Sequence, residues 1–177
     1  MRRIVKLTAA IICLVLSSMV LFGCAKQNPD SGPETKQTDY DVNEVKCVYN
    51  MGDQDAAELD IFSSDGTVKI YKVAPYSDSG VNLFEFEIPS EDKCTMKEIT
   101  ISNDEWNNIV NAVKSSDFMD LPEELPKVEA YDGSTCYIEV DTSIGKHKSG
   151  GYCAGSGSGK KHERFYSVRS VLSGLTK

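Results

Sequence analysis

The residues of this chain best suited to chemistry are its six cysteines and two histidines. Cys13 lies inside an apolar N-terminal stretch and Cys24 closes it, so four cysteines remain for the rest of the chain: Cys47, Cys94, Cys136 and Cys153. An even number of cysteines in a domain outside the cytoplasm is typical of disulfides, and four allow three connectivities. We therefore expect two disulfides; the alternative is that an anaerobic source leaves all four cysteines reduced.

A predicted hairpin over residues 134–153 selects one of these connectivities. Its two strands, 134–141 and 146–153, would be joined by a two-residue turn at Ile144 and Gly145. That turn places Cys136 directly opposite Cys153. The sequence thus predicts a disulfide between Cys136 and Cys153, and one between Cys47 and Cys94 follows by elimination.

Two alternatives arise because His147 and His162 are near Cys153 in the sequence. A zinc site made of both histidines with Cys136 and Cys153 lacks the closely spaced ligand pairs of structural zinc sites. A Cys153 nucleophile activated by His147 or His162 would need a free thiolate and an orienting group, and no flanking signature marks one. We therefore predict no catalytic residue, metal or cofactor, and we interpret both histidines as surface residues.

Basic residues are concentrated at the C-terminal end. Residues 145–177 hold 7 basic residues and 1 acidic residue, whereas residues 24–144 hold 9 and 26. This region either pairs its charges with the acidic body or forms an anion patch for phosphate-bearing wall polymers or lipid head groups. The candidate residues of that patch are Lys146, Lys148, Lys160, Lys161 and Arg164.

The N-terminal segment has the organisation of an export signal. Arg2, Arg3 and Lys6 precede an apolar stretch over residues 7–22, and small Gly23 precedes Cys24. This ending resembles the lipobox of bacterial lipoproteins. The resemblance implies that the Cys24 thiol receives a diacylglyceryl group, that the signal is cut before it, and that the new amine is often acylated.

The resemblance predicts a location at the cell membrane, facing the extracytoplasmic side. Two or three acyl chains, such as palmitate, would anchor the protein stably. An uncleaved membrane-spanning anchor would need about 20 apolar residues, and this stretch is shorter and interrupted by Ser17 and Ser18. An ordinary secretory signal without lipid is the other alternative.

The composition divides the chain into three segments. Residues 1–23 form the predicted signal. Residues 24–42 contain the lipidated cysteine and a flexible tether rich in Pro, Gly and charged residues, and residues 43–177 form a single domain. Because the signal holds three basic residues and no acidic one, the remainder carries a net charge of −11. This acidity argues against nucleic-acid binding.

Alternating and β-rich patterns predict strands over residues 44–51, 57–62, 67–73, 81–88, 95–101, 134–141 and 146–153. Asp65 and Gly66 suit a two-residue hairpin turn, which would place Ile61 opposite Ile70. In residues 81–88 aromatic and acidic side chains alternate, as in a half-buried strand.

Two amphipathic helices complete the pattern. Ser102 and Glu105 form a capping box that starts the first helix, and a second helix ends the chain. Each carries an apolar stripe at helical spacing: Trp106, Ile109, Val110 and Val113 in the first, and Phe165, Val168, Leu172 and Leu175 in the second. We predict an α+β fold, with an antiparallel sheet and both helices packed on one face.

From Ser102 onward the chain resembles uncharacterised small lipoprotein domains of Firmicutes-type bacteria. The shared pattern is the capped helix, the turn at Asp132 and Gly133 leading into a strand, a Gly151-Tyr152 segment and the closing helix. That family carries no assigned activity or site. We expect a non-enzymatic, lipid-anchored domain that binds a protein, a wall component or a small solute. The alternative is a small hydrolase or thiol-redox protein that uses Cys153 with His147 or His162.

Overall fold

A computed structural model describes residues 39–50, 54–130 and 132–177. The predicted signal, Cys24 and the first part of the tether lie outside these residues. The described part belongs to one compact unit, Gln37–Lys177. Among the described residues, no helix has the length and apolarity needed to cross a membrane.

One antiparallel sheet organises the described residues. Its six strands are β1 (Val42–Asn50), β2 (Ala57–Ser63), β3 (Thr67–Val73), β4 (Thr95–Thr100), β5 (Thr135–Thr142) and β6 (Gly145–Tyr152), in the spatial order β4-β3-β2-β1-β5-β6. The helices are α1 (Asn103–Ser115) and α2 (Lys160–Leu175). The α+β class and the antiparallel sheet are confirmed.

The sheet contributes to two core clusters because alternate residues of a strand point to opposite faces. On β1, Val45 and Cys47 belong to the first cluster and Val48 to the second. The first cluster also contains buried residues of both helices, among them Ile109, Val113, Phe165, Val168 and Leu172. The second is completed by Leu83 and Phe86 from the connection between β3 and β4.

Packing begins before residue 43, where the sequence placed the start of the domain. β1 starts at Val42, and Tyr40 is buried, with the Lys114 Nζ 5.3 Å from the centre of its ring. The folded unit thus includes residues that the sequence assigned to the tether.

The predicted capping box at the start of α1 is confirmed. The Ser102 Oγ accepts the Glu105 N–H at 3.3 Å, and the Glu105 carboxylate accepts the Ser102 N–H at 2.7 Å. These two contacts satisfy amides that have no partner within the helix. The helix then buries Ile109 and Val113 of the predicted stripe.

The predicted register of the β2–β3 hairpin is wrong by one residue. Ile61 pairs with Lys69, and Ile70 pairs with Asp60. The loop has three residues, 64–66: the Gly66 N–H donates to the Ser63 carbonyl, and Gly66 has a left-handed φ of +86°. Three-residue loops of this kind are a common alternative to two-residue turns, and the shift moves Ile61 and Ile70 to opposite faces.

The strand predicted over residues 81–88 is absent, and a 3₁₀ turn, Leu83–Glu85, takes its place. The Asn82 side chain accepts the Phe84 N–H at 3.2 Å, and Phe86 ends the turn with a φ of +57°. Leu83 and Phe86 are both buried. Their three-residue spacing suits a tight helical turn, so the apparent alternation does not mark a strand.

The β5–β6 hairpin also differs from its prediction, and this affects the cysteines. The turn lies at Ser143 and Ile144, because Thr142 pairs with Gly145. The Thr142 hydroxyl accepts the Ile144 N–H at 3.3 Å and donates to the Gly145 carbonyl at 2.7 Å. These two hydrogen bonds hold the turn at residues 143 and 144.

Cys136 therefore pairs with Gly151, and not with Cys153 as the sequence predicted. Cys153 lies beyond the end of β6, where its φ is +54° and its N–H donates to the Ser134 carbonyl. All four cysteines of the described residues carry free thiols. The predicted register that placed Cys136 opposite Cys153 is therefore wrong. The pairing of Cys47 with Cys94, which followed from it by elimination, loses its basis.

The capping box predicts a measurable contribution to stability. Replacing Ser102 with Ala leaves the Glu105 amide unsatisfied, and we expect the free energy of unfolding to fall by about 1 kcal/mol. Urea denaturation followed by circular dichroism measures this change. In the matched control, Ser115→Ala at the exposed end of the same helix, stability should not fall; an equal loss in both variants would contradict the capping role.

Candidate functional site

Polar side chains from three neighbouring strands meet under the C-terminal end of α2. On β1, Cys47 pairs with Asp60 of β2, and Tyr49 pairs with Glu58 of β2. On the other side of β1, Tyr49 pairs with Cys136 of β5. Because these residues lie at alternate positions along their strands, they share one face of the sheet.

A cavity of about 390 Å³ opens beside this row. We call it the Asp60 pocket. Its lining comes from the two strands and from the end of α2 with the residues that follow it: Cys47, Tyr49, Glu58, Asp60, Arg169, Leu172, Ser173, Thr176 and Lys177. The pocket thus combines an apolar wall with two carboxyl groups, a thiol, a phenol and two cationic side chains.

Asp60 is the most unusual residue of the pocket. Its exposed fraction is 2%, and its Oδ1 has no hydrogen-bond partner within the described residues. Burial, followed by the negative charge of Glu58, raises its pKa from the ordinary value of 3.8 to about 7. Near neutral pH the side chain therefore holds a proton for part of the time, because burial and the charge of Glu58 disfavour the carboxylate more than a hydrogen bond from Thr176 favours it.

Glu58 is held by Tyr49. The Tyr49 hydroxyl donates to the Glu58 Oε1, and burial together with this hydrogen bond raises the pKa of Tyr49 well above its ordinary value. The tyrosine therefore stays protonated and acts as a donor. Its hydrogen bond orients the Glu58 carboxylate beside Asp60, two residues away on the same strand.

The two thiols of the row are neighbours. The Sγ atoms of Cys47 and Cys136 lie 3.9 Å apart, and both residues are buried. The hydrogen bond to Cys136 and burial raise the pKa of Cys47 well above its ordinary value, whereas the positive charge of Arg169 acts in the opposite direction. The Arg169 Nη1 also donates to the Ala154 carbonyl at 3.2 Å, which fixes its position.

The structure places the other two cysteines elsewhere. Cys94 immediately precedes β4 at the far edge of the sheet, and its thiol donates to the Ser90 carbonyl at 3.5 Å. A Cβ atom on Gly133 would lie 2.1 Å from the Cys153 Sγ, so that sulfur packs directly against the Gly133 backbone.

Both histidines have structural contacts. His162 is buried, contrary to our surface interpretation; its Nδ1 accepts the Gly155 N–H, so its Nε2 donates to the Pro126 carbonyl at 3.0 Å. This leaves no free ring nitrogen to act as a base for Cys153. The His147 Nε2 contacts the Leu121 carbonyl at 2.8 Å. Within the described ranges, no three His, Cys, Asp or Glu residues converge as metal ligands would.

The residues of the predicted anion patch have varied surroundings. Lys146 pairs with Asp141 at 3.1 Å, and the Lys148 Nζ donates to the Phe84 carbonyl. Arg164 donates to the carbonyls of Ser116 and Asp117. Lys160 and Lys161 lie exposed at the start of α2. The anion patch stays a prediction, and three of its five residues already form ion pairs or hydrogen bonds within the protein.

Sequence reasoning missed Glu58 and Asp60, although the sequence contains a signal for them. Both lie at alternate positions with Phe62, whose side chain is fully buried. In a strand, residues at this spacing face the same side, so two carboxyl groups share the face of a core aromatic. A carboxyl group on a buried face is a candidate for a functional role.

We compared the chain with protein-family models and with curated proteins. No family model matches the chain, and no curated protein is significantly similar to it.

The buried carboxyl group predicts a pH-dependent stability. Because the pKa of Asp60 is higher in the folded chain than its ordinary value, folding takes up a proton between those two values. The free energy of unfolding should therefore fall as the pH rises from about 4 to about 7 and stay level above that. Asp60→Asn mimics the protonated acid, so at pH 8 it should exceed the wild type in stability by up to about 4 kcal/mol.

Urea denaturation of both proteins at pH 5 and pH 8 measures the effect. The matched control is Asp78→Asn, which changes an exposed carboxylate and should leave the pH dependence intact. A loss of stability in Asp60→Asn at pH 8, or the same difference between the proteins at both pH values, would contradict the assignment.

Proposed function

We propose that this protein is a non-enzymatic binding lipoprotein, anchored by lipid on Cys24 at the extracytoplasmic side of the cell membrane, and that its Asp60 pocket holds a small amine-bearing solute. The anchor is supported by the lipobox resemblance of residues 21–24. The binding role rests on one observation: the Asp60 Oδ1 is a buried acceptor that has no donor among the residues the structure describes, at the wall of a cavity.

A buried acceptor without a partner costs about 1–3 kcal/mol. An ammonium group of a ligand would remove this cost by donating to the Asp60 Oδ1. It would also bring a positive charge to Glu58 and Asp60, whose negative charges disfavour each other. Both effects act only in the complex, and the second favours binding of an amine over an uncharged donor such as an alcohol.

Arg169 and Lys177 indicate which amine-bearing ligands would fit the pocket. Both line the same pocket as the carboxyl groups. A ligand that carries a carboxylate in addition to its amine could pair with either cation, as an amino acid would. The volume of about 390 Å³ suits a molecule of that size.

We also infer that both helices pack on the face of the sheet that carries the pocket. The support comes from the first core cluster, in which buried residues of α1 and α2 join Val45, Phe62 and Ile138. Glu58 and Asp60 have the same parity on β2 as Phe62. This arrangement would shield Asp60 from water by means of α2.

Isothermal titration of the purified protein at pH 8 tests the binding role. We expect heat of binding with putrescine, which carries amines alone, and with lysine, and none with acetate. Asp60→Asn should weaken putrescine binding at least tenfold because it loses the charge and an acceptor atom. Asp78→Asn should bind as the wild type does. If neither amine binds, or if binding persists unchanged in Asp60→Asn, the amine role is refuted.

The anchor has its own test. In a lipoprotein-processing bacterial host, the wild-type chain should incorporate labelled palmitate, and Cys24→Ala should lose the label and keep the mass of the uncut precursor. Cys13→Ala is the matched control, because Cys13 lies inside the predicted signal and its loss should leave labelling intact. Label that persists in Cys24→Ala would place the lipid elsewhere.

A further inference from the structure

The thiols of Cys47 and Cys136 are arranged as a potential bonded pair. Cys47 pairs with Ile138 and Cys136 pairs with Tyr49, so the two cysteines are diagonal neighbours on adjacent strands. Their sulfurs lie 3.9 Å apart, and a disulfide requires about 2.0 Å. Side-chain rotation within the pair can reduce that separation, because both sulfurs already face each other across one face of the sheet.

The other cysteines are poorly placed to compete. Cys94 precedes β4, which is separated from β1 by β3 and β2. Three strand spacings amount to roughly 14 Å, which exceeds the reach of a disulfide. Cys153 packs against Gly133 after the end of β6. Among the described cysteines, the pair of Cys47 and Cys136 is the one in sulfur–sulfur contact.

Access to the pair runs through the Asp60 pocket. Cys47 lines that cavity, whereas Cys136 is fully buried behind it. A small oxidant that enters the pocket would therefore meet the Cys47 sulfur first. Arg169 lines the same cavity, and its positive charge acts against the hydrogen bond to Cys136 and the burial that raise the pKa of Cys47.

We propose that Cys47 and Cys136 form a disulfide across β1 and β5 when a peroxide oxidises the folded protein. Peroxide transfers one oxygen to the Cys47 sulfur, which becomes a sulfenic acid, and releases one water. The Cys136 sulfur then attacks the Cys47 sulfur; the sulfur–sulfur bond forms, the sulfur–oxygen bond breaks, and a second water leaves. Two thiols are oxidised by two electrons, and one peroxide is reduced to two waters.

Peptide mapping of the full-length protein tests this reaction. The reduced protein is treated under native conditions with one equivalent of hydrogen peroxide, alkylated in denaturant and digested, and the linked peptides are identified by mass spectrometry. We expect a peptide pair that joins Cys47 to Cys136 as the main linked product, and its disappearance after reduction. Absence of this pair, or a dominant link through Cys94, Cys153 or an N-terminal cysteine, would overturn the proposal.

Two variants distinguish a loss of disulfide formation from a loss of the folded structure. The double variant C94S/C153S keeps both proposed partners and should still form the link in the same yield. Cys136→Ser should lose the link and leave Cys47 as a trappable sulfenic acid, which a dimedone probe labels. If Cys136→Ser fails to fold, the double variant still decides the question, and titration with putrescine separately reports whether the amine site is intact.

Discussion

The constraint on which the site depends is the burial of a carboxyl group opposite a thiol. β1 and β2 pair Cys47 with Asp60 on a face that also carries Phe62 and Val45, so the sheet register places an ionisable group in the core. Burial removes it from most contact with solvent, and the Oδ1 finds no donor among the described residues. The group must then hold a proton or meet a cation. The raised pKa of Asp60 reflects the first option. The cavity beside Asp60, with the Glu58 carboxylate oriented by Tyr49, would allow the second.

The same face brings a second chemical group to the pocket wall. Cys47 contacts the cavity on one side and Cys136 on the other, so a ligand in the pocket and an oxidant would approach the same residue. Occupation of the pocket would then protect the thiols, and a disulfide would change one wall of the binding site. These two properties are consistent with the proposed lipid anchor, which would expose the domain to solutes and oxidants arriving by diffusion. Neither requires a catalytic residue.

Local signals predicted much of the fold, and long-range register determined the rest. The capping box at Ser102 and the apolar stripe that buries Ile109 and Val113 depend on neighbours within one element, so the sequence indicates them directly. The hairpins depend on loop geometry. A left-handed Gly66 makes a three-residue loop, and the Thr142 hydroxyl moves a turn by one position. The site is built from β1, β2 and β5, and β5 is far from the other two in the sequence. In the sheet β1 lies between β2 and β5, and no local sequence pattern predicts this order.

The most direct test of this account is the titration of the Asp60 carboxyl carbon by nuclear magnetic resonance in the folded protein. The account predicts a midpoint at a pH of about 7 without ligand. Saturating putrescine should move that midpoint to lower pH, because a bound cation favours the ionised form. A midpoint near the ordinary value of 3.8, unchanged by the amine, would show an ordinarily solvated carboxylate and would contradict both the burial and the binding role.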